Sequence, residues 1–432
     1  MRITTSKIDG QLWALCLLTM TWSCSSTETR QDATASGPDS GSDSEPDSGS
    51  PDSGSSVGDS NSADSASAEA SAPVPLPTCV VASTLPTWRQ SMTAGQWKVL
   101  DSADISQVTP PVQPGGYYSA RIEAWNGFAA DRTTSRMYLG AAGGHADYAG
   151  NEVYTIDLTA ESPQWVMQSP PSPASAYLID QPYYSDGKPS PTHTYWTSWF
   201  IEQRHKLFRF AGAGLWGTGN GGTDRIDSWN PATQSWDPEG TNPRMGPSPL
   251  YEMPTAKDFA TGDVYQFQSN NHLYRWNQDT NTVTDLGEAG GGSGSFYDLY
   301  KSPLVVDGSQ RLLFLSDDSA PAGSIRIYDI TAKTWSTKAL QGAAAPAVAA
   351  RESQGMAFYD FCASKIIFKT ITGGSVYWLD PATLAATALV TSGASVPDAI
   401  NGVHTLFQSL PSLGGYAYQP KHASKLHFLA TQ

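Results

Sequence analysis

A short unit recurs five times in this chain, and its period constrains the fold more than any other feature. Each copy runs as an apolar strand, an Asp or Asn, a turn containing Thr, and a second strand that often begins with Trp. The copies are Ile156-Asp157-Leu158-Thr159 with Trp165, Trp229-Asn230-Pro231-Ala232-Thr233 with Trp236, Trp276-Asn277-Gln278-Asp279-Thr280 with Val283, Tyr328-Asp329-Ile330-Thr331 with Trp335, and Leu379-Asp380-Pro381-Ala382-Thr383 with Ala386. The Asx-to-Asx spacings are 73, 47, 52 and 51 residues. An Asp or Asn side chain bonds the backbone two residues on and so starts a tight turn. Two further strand-like runs precede each Asx turn, as in Phe128–Asp131 with Arg136–Leu139, Leu304–Gly308 with Arg311–Leu315, and Phe358–Asp360 with Ile366–Phe368. Helix-period patterning is absent. Four short strands in roughly 45–50 residues is the arithmetic of a β-propeller blade. Sandwich and β-helix designs rank well below it.

Five full units fit residues 121–168, 193–240, 249–288, 296–340 and 352–392, and a sixth begins at Asn401. That last unit supplies three strands, at His404–Ser409, Gly415–Gln419 and Lys425–Ala430. The missing fourth strand is expected from Gly95–Leu100, which closes the ring and leaves no edge exposed. The expectation is an all-β chain with a single propeller of six four-stranded blades, seven being the alternative.

The remaining N-terminal residues read differently. Residues 12–22 form an apolar run after Arg2 and Lys7, of the length of a signal-peptide core and short for a bilayer span. Ser23-Cys24 follows and resembles a bacterial lipobox whose Cys is lipidated, although Thr21 and Trp22 depart from that pattern. Ordinary signal cleavage nearby is the other reading. Residues 25–78 are Ser, Asp, Gly, Pro and Ala with little else, and repeat Pro-Asp-Ser-Gly at 38–41, 46–49 and 51–54. Such a stretch buries too little apolar surface to fold and is expected to be a disordered tether. The division is thus a signal over 1–24, a linker over 25–78 and a propeller over 79–432, exported and either anchored at the outer membrane or cell surface or released. Lipid through Cys24 would be the only membrane contact.

Charge takes its meaning from this division. The whole chain carries −15, but residues 31–77 alone hold seven Asp and two Glu with no Lys or Arg. The folded part is only mildly acidic. No basic face is left for phosphate, which excludes nucleic acid of the usual electrostatic kind. Apart from Cys16 and Cys24, the cysteines are Cys79 and Cys362. In an oxidising compartment they are expected to form a bridge, two free thiols being the alternative.

Residues 137–165 carry a resemblance. Gly143, Gly144, Tyr154 and Trp165 match the pattern of a kelch repeat, and the run is similar to the central propeller of galactose-oxidase-like bacterial proteins. The second blade keeps Gly221-Gly222 and Trp236, and later blades lack the double glycine. The resemblance implies that the loops between strands 2 and 3, and those between blades, gather on one face around the channel. Those loops carry His145 and Tyr148 (first blade), His193 and Tyr195 (start of the second), Trp216 (211–222), Asn270, Asn271 and His272 (third), Arg351 and Glu352 (before the fifth), and His404 (opening the sixth). A connection over 168–192, rich in Pro and Tyr, carries Tyr177, Tyr183 and Tyr184 and reads as a rim or lid.

His145, His193 and Tyr195 are the candidate catalytic group, because His titrates near neutrality and Tyr serves as acid or base when its pKa is lowered. Propeller polysaccharide lyases are similar in using His and Tyr this way. Binding without chemistry and a purely structural role are the other readings. Tyr148, Trp216, Asn271, His272, Arg351, Glu352 and His404 are candidate ligand contacts. No cofactor is assigned. A zinc or calcium site from His145, His193 and His404 lacks the spacing of a metal motif. A copper radical site is disfavoured because Cys79 and Cys362 lie outside the motif loops. The expectation is a monomer that binds, and in one reading processes, a carbohydrate or polysaccharide at the channel mouth. A non-catalytic platform for a cell-surface protein is the alternative, since aromatic rims suit sugars and proteins alike.

Overall fold

The computed structural model describes residues 79–112, 114–218, 221–246, 254–268, 270, 272–288, 303–315, 320–350 and 355–432. Cys24 and the linker expectation lie outside them, as do Asn271, Arg351 and Glu352.

Six sheets form the propeller, antiparallel throughout except for one outermost strand of the sixth. Strand β1 is Gln96–Leu100. The first blade is β2 (Ala129–Asp131), β3 (Arg136–Gly140), β4 (Val153–Asp157) and β5 (Trp165–Ser169). The second is β6 (Ser198–Ile201), β7 (Lys206–Ala213), β8 (Gly222–Asn230) and β9 (Ser235–Trp236). The third is β10 (Thr255–Lys257), β11 (Val264–Phe267), β12 (His272–Asn277) and β13 (Thr282–Glu288). The fourth is β14 (Leu304–Val306), β15 (Arg311–Phe314), β16 (Ser324–Asp329) and β17 (Thr334–Ala339). The fifth is β18 (Met356–Asp360), β19 (Lys365–Lys369), β20 (Val376–Leu379) and β21 (Ala386–Ala388). The sixth takes β23 (Phe407–Leu410), β24 (Gly415–Tyr418) and β25 (Leu426–Ala430) from late in the chain, with β22 (Ser392–Gly393) on its outside. Among the described residues no helix is long and apolar enough to cross a membrane.

The ring closes as the strand count requires. β1 pairs antiparallel with β25, with Trp97 opposite Leu429 and Leu100 opposite Leu426, and supplies the sixth blade's fourth strand. β22 then adds to β1 in parallel, through Gln96–Ser392 and Trp97–Gly393. Trp97 is buried against Phe407 and Tyr418, and its Nε1 donates to the Gly374 carbonyl of the fifth blade. The early segment is therefore locked to two blades at once.

All five Asx turns form. The Oδ1 atoms of Asp157, Asn230, Asn277, Asp329 and Asp380 accept the backbone N–H of Thr159, Ala232, Thr280, Ala332 and Ala382 at 2.9, 2.9, 2.9, 2.6 and 3.0 Å. Aromatic pairs join neighbouring blades: Tyr138 on Phe200 at 5.2 Å, Phe208 on Trp276 at 4.9 Å, Phe267 on Phe314 at 5.0 Å and Phe358 on Phe407 at 5.9 Å. Each such pair contributes about 0.5–1.5 kcal/mol beyond the area it buries. Cys79 and Cys362 form the expected bridge, with Cα atoms 5.1 Å apart.

Antiparallel alternation puts the starts of the inner strands and the loops between strands 2 and 3 on one face. Two boundaries differ from expectation. The second blade's inner strand begins at Ser198 rather than at His193, and the sixth's at Phe407 rather than His404. Tyr195 and His404 sit at φ +38° and +44°, outside the extended range, which keeps both out of their ladders.

Candidate functional site

The mouth of this face is assembled where the first and second blades meet. The loop between β3 and β4 crosses to the second blade through backbone bonds. His145 N–H donates to the Gly214 carbonyl at 2.7 Å, Gly217 N–H donates to the His145 carbonyl at 2.9 Å, and Gly143 N–H donates to the Thr192 carbonyl at 3.1 Å. Gly144 makes this approach sterically feasible. A Cβ there would lie 2.1 Å from the Gly214 oxygen and 2.6 Å from Thr192 Cα, and its φ is +76°. His193 N–H donates to the Ala213 carbonyl at 3.0 Å, and Tyr195 N–H to the Trp125 carbonyl at 2.8 Å. Asn126 braces the floor: its Oδ1 accepts Thr194 N–H at 2.9 Å and its Nδ2 donates to the Ala120 carbonyl at 2.7 Å.

Four non-glycine residues around this mouth hold left-handed backbone: Trp125 at φ +52°, His145 at +50°, Tyr195 at +38° and His404 at +44°. Such conformations cost of order 1–3 kcal/mol each and gather at functional sites, where surrounding structure holds them. Gln234 and Asn281 hold the same conformation in ordinary hairpin turns, and Ala141 and Ala211 hold it at the end of β3 and within β7.

The side chains converge. His193 Nε2 lies 2.9 Å from Asp147 Oδ2, and His193 Nδ1 lies 3.4 Å from the Tyr195 hydroxyl. His145 Nδ1 lies 3.6 Å from the same Asp147 oxygen. The His145 and His193 rings are 5.7 Å apart, and Trp125 packs on His193 at 5.1 Å. Exposure grades across the group. The His145 and Asp147 side chains are 46% and 36% exposed and His193 8%, while Tyr195 is buried behind them. The hydrogen bond from His193 holds the Asp147 carboxyl below the usual carboxylate range. His404 stands behind Tyr195 and Trp196, edge-on to both at 5.2 and 4.6 Å, and its Nε2 is 2.8 Å from the Asn401 carbonyl. Burial pushes its pKa down to about 4, so it is neutral at physiological pH.

The three candidate catalytic residues thus share one mouth. The other candidates separate. Trp216 lies beside the group, since its loop carries the Gly217 bond to His145. His404 is buried and has no surface for a ligand. Tyr148 is fully buried, its hydroxyl donating to Glu152 at 2.5 Å. Glu152 also accepts from Tyr154, lies 3.9 Å from buried Arg121, and has its pKa raised by burial. This network is scaffolding beneath the loop. His272 lies on β12 and pairs with Asp285 of the neighbouring outer strand at 2.7 Å. Asn270 braces the same strand, through the His272 N–H and the Tyr274 hydroxyl.

The long connection between the first two blades is anchored by its tyrosines. Tyr184 donates to the Ala149 carbonyl and Tyr183 to Asp227, while Tyr177 packs on Tyr184. Asp147, Trp125 and Asn126 belong to the site but escaped the sequence reading. Asp147 stands two residues after His145 in the same glycine-bounded loop, a His-x-Asp spacing that could have signalled it. Tyr117, 75% exposed, sits beside it through a 2.8 Å bond from its N–H to the Asp147 carbonyl.

Fold and site together define a six-bladed propeller with a histidine–aspartate–tyrosine cluster at one mouth. No family model matches the chain, and no curated protein matches it. Among solved structures it is similar to one titled "Structure of YjhT", at 14% identity over 74% of this chain and 95% of that one, with a TM-score of 0.42. A likeness of that degree bears on neither ligand nor activity.

Proposed function

We propose that the chain is an exported kelch-type propeller that binds a carbohydrate at the mouth between its first two blades and acts on it there. The observation that carries this reading is the convergence of His145 and His193 on one half-exposed carboxylate, Asp147, with the Tyr195 hydroxyl at the other nitrogen of His193. Sugar recognition needs an aromatic face beside polar groups. Exposed Tyr117, whose N–H bonds the Asp147 carbonyl, and half-buried Trp216, next to the Gly217 that bonds His145, are the candidates for such faces. Without a metal, Asp147 orients His193, and Tyr195 backs its other nitrogen, so a proton can pass along the line from an exposed ligand atom. The four strained residues support a role beyond packing. The glycines of the first-blade loop and buried Tyr154 and Trp165 support the kelch resemblance. The Cys79–Cys362 bridge supports export, because such bonds persist in oxidising compartments. We extend this to a monomer anchored at the cell surface through Cys24, with the residues that follow as its tether.

A second reading draws on Leu178 and Ile179, 40% and 64% exposed, which flank the same loop and would suit a protein partner. A glycan array with a product screen on the purified chain separates the two. Binding weakened by Tyr117→Ala, and product abolished by His145→Ala, are the expected results. Tight binding of a protein with no glycan hit would install the second reading. Replacing Cys24 with Ser tests the anchor, which predicts loss from the membrane fraction.

A further inference from the structure

The hydrogen bond between His193 and Asp147 explains two of the three side chains at the floor of the mouth. It does not explain His145. That residue holds a left-handed backbone at φ +50°, is fixed by two backbone bonds to the neighbouring blade, and leaves its ring 46% exposed. Strain of this kind, spent on a half-exposed imidazole, gains nothing in packing. Its outcome is to bring a second histidine nitrogen to the carboxylate that already holds the first.

We propose that His145, Asp147 and His193 bind a divalent first-row transition cation, of which zinc is the reference case. One nitrogen from each histidine and one oxygen of Asp147 lie within 4.8 Å of one another. Ligands about 2.0–2.1 Å from a tetrahedral zinc sit roughly 3.3 Å apart. The Asp147 Oδ2 distances of 2.9 Å to His193 Nε2 and 3.6 Å to His145 Nδ1 straddle that value. Only the two histidines must close, and His145 has the solvent-facing freedom to do so. Two imidazoles and one carboxylate suit zinc and its first-row neighbours, whereas calcium and magnesium prefer all-oxygen sets.

The surroundings are those of a ligand set. The Tyr195 hydroxyl lies at His193 Nδ1, which leaves Nε2 as the nitrogen turned to the cation. Trp125 packs on the same ring and restrains its rotation. Three protein ligands leave a fourth position, open on the side where His145 and Asp147 meet solvent. That is the pattern of sites where zinc meets a substrate, as structural zinc sites are closed by four protein ligands. His404, the third histidine the sequence offered, is replaced by Asp147, because its Nε2 faces the Asn401 carbonyl and its ring lies behind Tyr195.

The inference rests on the proposed reading of this mouth as the ligand site and deepens it. The cation takes the place of the proton on His193 Nε2 and offers its open position to an oxygen of the bound ligand. The test is independent of any glycan. The purified full chain is stripped with a chelator, dialysed and titrated with zinc by calorimetry, with metal content checked by mass spectrometry. One equivalent per chain is expected. His145→Ala and Asp147→Ala are each expected to weaken it at least tenfold, and cobalt loading should give the visible absorption of a four- or five-coordinate site. His193 is buried and its removal could unfold the loop, so half-exposed His145 is the deciding position. Absence of a saturable equivalent, or one that survives unchanged in both variants, overturns the proposal. A glycan screen that returns nothing leaves the titration standing, and a failed titration leaves the carbohydrate reading to its own assay.

Discussion

Reduction or removal of the Cys79–Cys362 bridge should destabilise the propeller by more than any single surface contact. The bridge ties the segment ahead of β1 to the turn between β18 and β19 across a sequence separation of 283 residues. That segment also docks by itself. Ala82 N–H donates to the Ser412 carbonyl at 2.8 Å, buried Arg89 donates through Nε to the Leu413 carbonyl at 2.6 Å, and Trp88 meets Phe428 edge-on at 5.2 Å. Loop-closure entropy for a ring of this size gives about 5.6 kcal/mol at 25 °C as an upper value, against about 2–4 kcal/mol for typical disulfides. A Cys79→Ser, Cys362→Ser double variant is therefore expected to lose about 2–5 kcal/mol in urea unfolding. Its m-value should rise, because the uncrosslinked unfolded chain exposes more surface. Unchanged midpoint and slope would refute the reasoning. They would mean that Arg89 and Trp88 already hold this segment in every state the assay samples.

Two further outcomes follow from the site. Burial lowers the His404 pKa from 6.5 to about 4, so above pH 6.5 it is neutral in folded and unfolded chains alike and adds no pH dependence. As pH falls from 6.5 towards 4 the unfolded chain takes up a proton that the folded one refuses. Stability should drop by up to about 3 kcal/mol over that window, and urea midpoints measured for His404→Gln should show a shallower acid limb. Gly144→Ala should cost at least about 2 kcal/mol and abolish zinc uptake with far-UV circular dichroism unchanged, because its Cβ would strike the Gly214 carbonyl. Gly240→Ala is the control, since it shares a positive φ of +83° but would meet nothing within 4 Å.

Local chemistry made the architecture readable. An Asx turn needs one side chain and a backbone N–H two or three residues away, so five such turns announce themselves without any tertiary knowledge. Ring closure was legible by counting, because a blade short of one strand needs a donor and Gly95–Leu100 had the composition for it. Side-chain direction was not legible. Tyr148 and His145 share a glycine-bounded loop, yet one turns down onto Glu152 and the other out to solvent. Loop position suggested a ligand role for both, while burial, set by contacts distant in sequence, separates them. Asp147 was missed because a single Asp in a loop is ordinary until His193, 46 residues away, is seen to face it.

The location of the candidate site was nonetheless written in the repeat. Four Asx spacings describe the chain, and one of them, 73, stands far from the 47, 52 and 51 that follow. About half of the excess is the connection over 170–197, much of the rest lying in the long β7–β8 pair, and the connection's physical work is to carry His193 and Tyr195 across the seam between the first two blades. A connection of the length used elsewhere in the ring would have to run directly from the outer strand to the next inner strand. The added residues let Thr192 and His193 pair with both neighbours instead, accepting from Gly143 on one side and donating to Ala213 on the other. Tyr183 and Tyr184 anchor the detour, which leaves the insertion ordered rather than loose. A propeller can vary any one seam without disturbing the other blades, because each sheet satisfies its own backbone bonds. The break in period is therefore where chemistry could be added at least cost to the fold, and it is where the histidines, the carboxylate and the strained backbone are found together.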